Sequence, residues 1–253
     1  MGIVQVSSSA GVARVVLDRP PLNVIDLEGA RELAGALESL RSRPDLSAVV
    51  LAARGRAFSA GVDVRDHLPD RGAAMLREFH RACRLLLDIE APVVAAVQGA
   101  ALGGGCELTL ICDLVWASDR ASFGQPEIKL GVFPPVAVVA LPLIVSPRLA
   151  SEMLLTGRVL TAAEAESAGL VNRVVDSESF DSALDELLDS LRALSPASLR
   201  LTKRAMRLGR PLPAAGEIEA AERFYVQELM ETPDAIEGLK AFLEKRTPAW
   251  QRT

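Results

Sequence analysis

The sequence predicts an α/β core that gives way to helices. Short apolar runs bounded by Gly, Pro or polar residues recur at 12–17, 47–53, 92–99 and 112–118, the pattern of sheet strands buried on both faces. Between them, 26–43 and 71–90 carry apolar residues at helical spacing, so strand and helix alternate as in a sheet covered by helices. From about residue 147 the pattern becomes nearly all helix.

In chain order, residues 3–6 and 12–17 are joined through Ser and Gly and read as a hairpin. Asp26 is a natural N-cap for a helix carrying Leu27, Leu33, Leu37 and Leu40 on one side. Residues 47–53 form a short buried strand, 71–90 an amphipathic helix ended before Pro92, and 92–99 and 112–118 the next strands. Helices are expected over 147–156, 161–168, 178–194, 196–209, 213–231 and 233–245, packed on the core or on another subunit. The connections at the strand ends are rich in Gly and Pro, and such ends are where open α/β sheets place their ligands. No internal repeat, linker or low-complexity segment stands out.

With 253 residues the chain fits one large domain, or a core with a smaller appendage, and buries a sizeable core. Its 28 Lys and Arg against 33 Asp and Glu give a net charge of -5, which offers nothing to nucleic acid or an acidic membrane. The apolar run 132–145 contains Pro134, Pro135 and Pro142 and falls short of the roughly 20 residues a membrane span needs. No basic segment precedes an apolar one at the N-terminus, so no secretory signal is expected. Cys83, Cys106 and Cys112 form no CxxC pair and read as reduced, buried thiols of a cytoplasmic protein. His67 and His80 are the only histidines, neither with a second ligand at metal spacing, so no zinc site is expected.

Three segments carry candidate chemistry. In "ARGRAFSAGVDVRDH" (53–67), Gly61 permits a tight turn that leaves the N–H of Val62 free to face a ligand. Ser59 has no Gly-x-Ser-x-Gly frame and no placed His, so it reads as inert. "GAALGGGCELTL" (99–110) is neither a P-loop nor a dinucleotide fingerprint; it predicts a close backbone approach followed by a helix whose first N–H, that of Gly104, is unpaired. Two such donors, Val62 and Gly104, suit an oxyanion hole. The third feature is a pair of carboxylates, Glu107 just past the glycines and Glu127 after Gly124-Gln125-Pro126. Singly, each has a bland reading, as helix-dipole partner or loop acid paired with Lys129. Beside the glycine turn they suggest two groups sharing one water in acid–base work.

"LDRPPLNVID", "AFSAGVDV", "GAALGGGCEL", "FGQPEIKLGVF", "LTGRVLTAAEAESAGLVNRVV" and "EGLKAFLEKRTPAW" together resemble the enoyl-CoA hydratase/isomerase (crotonase) superfamily, over nearly the whole chain. The resemblance implies a spiral of ββα turns (residues 1–195) and a C-terminal helical region (196–253) for trimerisation and closure of the CoA pocket, with trimers or dimers of trimers as the assembly. It places the oxyanion donors at Val62 and Gly104 and the hydratase acids at Glu107 and Glu127. Many isomerases, decarboxylases and thioesterases of the superfamily lack one of these acids, so the pair favours addition or removal of water. Leu22, Ala60 and Val64 match backbone contacts to coenzyme A, and Arg65 the position of a basic residue near its phosphates. Phe242 and Lys245 match C-terminal contacts, from the same chain or a neighbouring subunit. The resemblance implies no metal and no prosthetic group; coenzyme A enters as part of the substrate.

One stretch departs from the family. Where most relatives read Ile-Pro-Gly-Ala-Gly-Gly-Thr, this chain has Val132-Phe133-Pro134-Pro135-Val136-Ala137-Val138. Loss of the glycines puts bulk into the acyl-pocket wall formed by Phe133, Pro134 and Pro135. "VRDHLPDRGAAML", "GVFPPVA" and "YVQELMETPDAIEGLKAFLEKR" are similar to cyclohexa-1,5-diene-1-carbonyl-CoA hydratases, enzymes of anaerobic aromatic breakdown, whereas "AFSAGVDV" is nearer the general hydratase form. The alternatives are a short-chain or branched enoyl-CoA hydratase, or an isomerase or decarboxylase of the superfamily. A non-enzymatic RNA-binding or scaffold relative predicts a basic helix and decayed acids, yet Glu78, Asp88 and Glu90 dilute the four arginines of 71–90.

Overall fold

Two sheets of unequal size share the chain, and after an N-terminal hairpin three successive strand–strand–helix turns give one strand to each. In the computed structural model, which describes residues 2–209, 213 and 215–251, the larger sheet takes β1 (Val4–Ser9), β2 (Val12–Leu17), β3 (Ala48–Ala53), β5 (Val93–Val97), β7 (Leu114–Ser118) and β10 (Arg173–Val175) in that order. The smaller takes β4 (Ala57–Ser59), β6 (Ala100–Leu102), β8 (Ser122–Gly124) and β9 (Val159–Thr161). β1 pairs antiparallel with β2 and β9 with β8; the other neighbours run parallel. The units β3–β4–α2 (Gly72–Asp88), β5–β6–α3 (Gly104–Leu110) and β7–β8–α4 (Pro135–Ile144) are successive turns of a spiral.

The inner strands β2, β3, β5 and β7 read as apolar runs because both faces of the large sheet are covered there. Val49, Leu51, Val93, Ala95 and Val97 join the main core with α1 (Leu27–Glu38) and α2. Their neighbours Ala48, Val50, Val94 and Ala96 point the other way and pack on Phe180, Leu184, Leu188 and Leu191 of α7 (Phe180–Arg192), the two faces alternating as strand geometry requires. Asp26 caps α1, its side chain accepting from Gly29 N–H at 2.9 Å.

The structure corrects the sequence reading in two places and supplies an element for a segment that the sequence left unassigned. The stretch after 147, expected to be nearly all helix, contains β9 and β10; three-residue strands are too short to show alternation and are recruited by the open edges of β8 and β7. The apolar run 132–145 holds α4, with Pro135 in its first turn. Helix α1 stops at Glu38 rather than continuing to 43. The remaining helices are α5 (Pro147–Thr156), α6 (Ala162–Ser167), α8 (Pro196–Gly209), α9 (Ala215–Gln227) and α10 (Pro233–Leu243); residue 214 of the expected helix 213–231 lies outside the described residues. Among the described residues no helix is long and apolar enough to cross a membrane.

Candidate active site

Parallel pairing in the small sheet brings three distant segments together. Ala57 lies opposite Ala100, Ala100 opposite Ser122, and Leu102 opposite Gly124. The strand ends therefore open side by side, as is usual for ligand sites in parallel sheets: Ala60-Gly61-Val62 after β4, Gly103-Gly104 after β6, and Gln125-Pro126-Glu127 after β8. A cavity of about 410 Å³ lies there, with Val62, Gly104, Glu107 and Glu127 in its wall.

The segment before Val62 is fixed from below. Asn23 is buried and its amide donates to Arg54 O and Ala57 O, each at 2.8 Å. Ala60 N–H donates to Leu22 O at 2.9 Å, and Ser59 Oγ donates to Asn23 O at 2.8 Å, so Ser59 is a backbone brace. Ile25 N–H donates to Gly61 O and Asp63 N–H to Ile25 O, both at 2.9 Å, which pins the chain on either side of Val62. Among the described residues the N–H groups of Val62 and Gly104 have no acceptor; Gly104 opens α3, where the first amides lack helical partners. Gly61 has φ 97°, and a Cβ there would stand 2.9 Å from Leu102 O and 3.2 Å from Gly104 N. Only glycine at position 61 lets this turn come so close to the backbone of Leu102 and Gly104.

The two acids are held differently. Glu107 is 3% exposed, and its Oε1 accepts from Val136 N–H at 2.8 Å and Ala137 N–H at 2.9 Å in the first turn of α4. Burial raises its pKa, against the opposing pull of the His80 charge and the two amides. Glu127 lies in a short 3-10 helix, Pro126–Leu130. The residue is half-buried, its Oε2 is buried without a partner among the described residues, and a Cβ on Gly103 would run into its Oε1. Burial, and then the charge of Glu107, push Glu127 up to about 8. Two carboxyls whose surroundings treat them unequally are the arrangement that separates an acid from a base.

A model of the enoyl-CoA hydratase/isomerase family matches residues 7–253. The chain is 39% identical over 238 residues to cyclohexa-1,5-dienecarbonyl-CoA hydratase of Thauera aromatica, spanning 94% of this chain and 92% of the relative. It is 35% identical over 240 residues to a probable enoyl-CoA hydratase of Mycobacterium bovis, spanning 94% and 93%. The solved structure of an enoyl-CoA hydratase from Mycobacterium avium subsp. paratuberculosis superposes with a TM-score of 0.87 at 29% identity, covering 99% of both chains. The chain belongs to the enoyl-CoA hydratase/isomerase family. Its two-sheet spiral is the fold of that solved relative, and enoyl-CoA hydratases act on CoA thioesters without a prosthetic group.

In this family member the other residues singled out from the sequence divide into two sets. Ala60, Val64, Phe133, Pro134, Pro135 and Phe242 line the cavity, and Phe133 is backed by Phe224 and Tyr225 of α9 at ring-centroid distances of 5.9 and 5.3 Å. Leu22, Arg65 and Lys245 stand outside its wall. Leu22 acts through its carbonyl; Arg65 is exposed and makes a two-pronged bond to Asp63 at 3.1 and 2.6 Å; Lys245 is exposed beyond α10 with φ 54°. The sequence reading missed the α2 side of the wall, Met75, Leu76, Phe79 and His80, and also His67 and Lys129. The i, i+4 pairs Met75/Phe79 and Leu76/His80 were the available signal.

Proposed function

We propose that this chain is a hydro-lyase that adds or removes water across the conjugated C=C of a CoA thioester, with cyclohexa-1,5-diene-1-carbonyl-CoA as preferred substrate. The reading is carried by the presence of two acids, Glu107 and Glu127, in one cavity with two unpaired backbone donors, Val62 and Gly104. The thioester oxygen accepts from both N–H groups, which draws electrons from the C=C and makes the β-carbon electrophilic. Water sits between the acids. Glu107 takes its proton as the C–O bond forms, and the negative charge moves to the thioester oxygen. Glu127, the acid kept protonated by its surroundings, gives its proton to the α-carbon. One proton is gained and one lost by the pair, so a single transfer between them restores the resting state.

The ring preference is supported by the wall of Phe133, Pro134 and Pro135 and by the likeness to the Thauera aromatica hydratase. For coenzyme A the reading assigns Leu22, Ala60 and Val64 to backbone contacts, Arg65 to the phosphates, and Phe242 and Lys245 to the C-terminal side. We assign residues 1–195 to the spiral core and 196–253 to assembly as a trimer or dimer of trimers; the exposed apolar side chains Leu201, Met206, Leu208 and Phe224 support an interface there.

The test is a side-by-side hydration assay with crotonyl-CoA and the cyclic diene thioester, following absorbance and product mass. Turnover favouring the ring is the expected outcome. Fast crotonyl-CoA hydration alone would reassign the chain to a general enoyl-CoA hydratase. Glu107→Ala and Glu127→Ala should each abolish hydration and retain CoA-ester binding; turnover surviving in both would remove the mechanism.

A further inference from the structure

His80 is a polar residue in a cavity wall that is otherwise apolar on the α2 side, where Met75, Leu76 and Phe79 are its neighbours. The residue is 0% exposed. Its Nδ1 is bonded at 2.7 Å to Oε2 of Glu222, which reaches it from α9, 142 positions along the chain. Its Nε2 is buried and has no hydrogen-bond partner among the described residues. Burial alone would raise the pKa of Glu222, but the bond to His80 and the charges of His80, Arg84 and Arg77 hold it below the usual carboxylate range. As a carboxylate it accepts only, so Nδ1 carries the hydrogen, and the ring is fixed with Nε2 as its free atom.

A buried polar atom left unpaired is costly, and acyl pockets use their few polar groups to orient and select ligands. In the neutral ring Nε2 is an acceptor; in the imidazolium it is a donor. A hydroxyl group both donates and accepts, so it satisfies Nε2 in either state, whereas a hydrocarbon acyl group satisfies neither. Hydration installs one hydroxyl on the acyl group, in the cavity that Glu107 and His80 share.

We propose that His80, oriented by Glu222, is a specificity-determining residue for the hydroxyl of the hydrated acyl thioester, with Nε2 as that oxygen's hydrogen-bond partner. The inference rests on the hydratase reading for the origin of the hydroxyl, and its test does not depend on turnover.

The experiment compares binding of 2-hydroxycyclohexane-1-carbonyl-CoA and cyclohexane-1-carbonyl-CoA by calorimetry, in the full-length chain carrying E127Q to suppress dehydration. The parent should bind the hydroxylated probe about tenfold more tightly, the size of one net hydrogen bond. H80L should bring the ratio close to one while the affinity for the unhydroxylated probe stays within about twofold. E222L keeps the imidazole but frees Nδ1, and should reduce the preference by roughly threefold or more. An unchanged ratio in H80L, or equal weakening of both probes in a variant that still unfolds cooperatively, overturns the proposal. If H80L binds neither probe and has lost its fold, E222L decides, and an unchanged ratio there overturns it. A wild type that hydrates no enoyl-CoA thioester would refute the hydratase reading, and the ratio would still report on His80.

Discussion

Replacing Glu127 by Gln should abolish turnover and make the protein more stable. Burial and the charge of Glu107 push this carboxyl from 4.5 to about 8. A group with a raised native pKa holds its proton more tightly when folded, so its contribution to stability is complete below about 4.5 and is lost as pH rises towards about 8. At ~1.4 kcal/mol per pH unit this displacement corresponds to roughly 5 kcal/mol. Partial exposure of the side chain to the cavity, and the titration of Glu107 beside it, reduce the figure to about 2–3 kcal/mol. The amide has nearly the same shape and no charge to bury, so E127Q escapes the loss. Urea unfolding at fixed protein concentration, at about pH 5, 7 and 9, measures the difference between variant and wild type. The difference should be near zero at the acid end and about 2–3 kcal/mol at the alkaline end, or roughly 5–10 °C in Tm for a chain of this size. A difference independent of pH, or a variant less stable than wild type at about pH 9, would refute the reasoning.

The same environment sets the pH profile of kcat/KM, which should be bell-shaped: the acid limb lies above the ordinary carboxylate value because burial raises Glu107, and the basic limb lies at about 8 as Glu127 loses its proton. A rate that is flat through both limits in steady-state kinetics would count against these assignments. Gly103→Ala places a Cβ against Glu127 Oε1 at a residue with φ 53°; turnover should fall by about a hundredfold or more, with a stability loss of roughly 1–2 kcal/mol in urea unfolding. Asn23→Ala removes the donor to Arg54 O and Ala57 O and the acceptor for Arg19 N–H, and should cost about 2–3 kcal/mol by the same assay. It should also raise KM, because the Leu22–Ala60 and Ile25–Gly61 bonds that set Val62 depend on that turn.

Much of this site is legible in the sequence because its parts are local. Gly61, Gly103 and Gly104 mark backbone that must bend or come close, and Glu107 and Glu127 are isolated acids in apolar surroundings. The inner strands β2, β3, β5 and β7 of the large sheet are legible because they are covered on both faces, which turns alternation into continuous runs. Contacts between distant segments leave no such imprint. The partners of Glu107 are amides 29 and 30 positions away, and a backbone N–H carries no sequence signature. His80 and Glu222 are each unremarkable in their own helices and meet only because α9 packs against α2.

The segment that departs from the family shows how such contacts couple specificity to chemistry. From the sequence, Phe133-Pro134-Pro135 is bulk in place of glycine, hence a reshaped acyl wall. In the structure Pro135 is also the first residue of α4, a position where its missing N–H costs nothing. The next two amides, Val136 and Ala137, are the donors that hold Glu107. A substitution at 133–135 that widens the cavity therefore also moves the start of α4 and, with it, Glu107, the carboxylate we propose to activate water. Variants of this wall should change kcat together with acyl preference, and a variant that alters preference at unchanged kcat must leave the Val136 and Ala137 bonds to Glu107 intact.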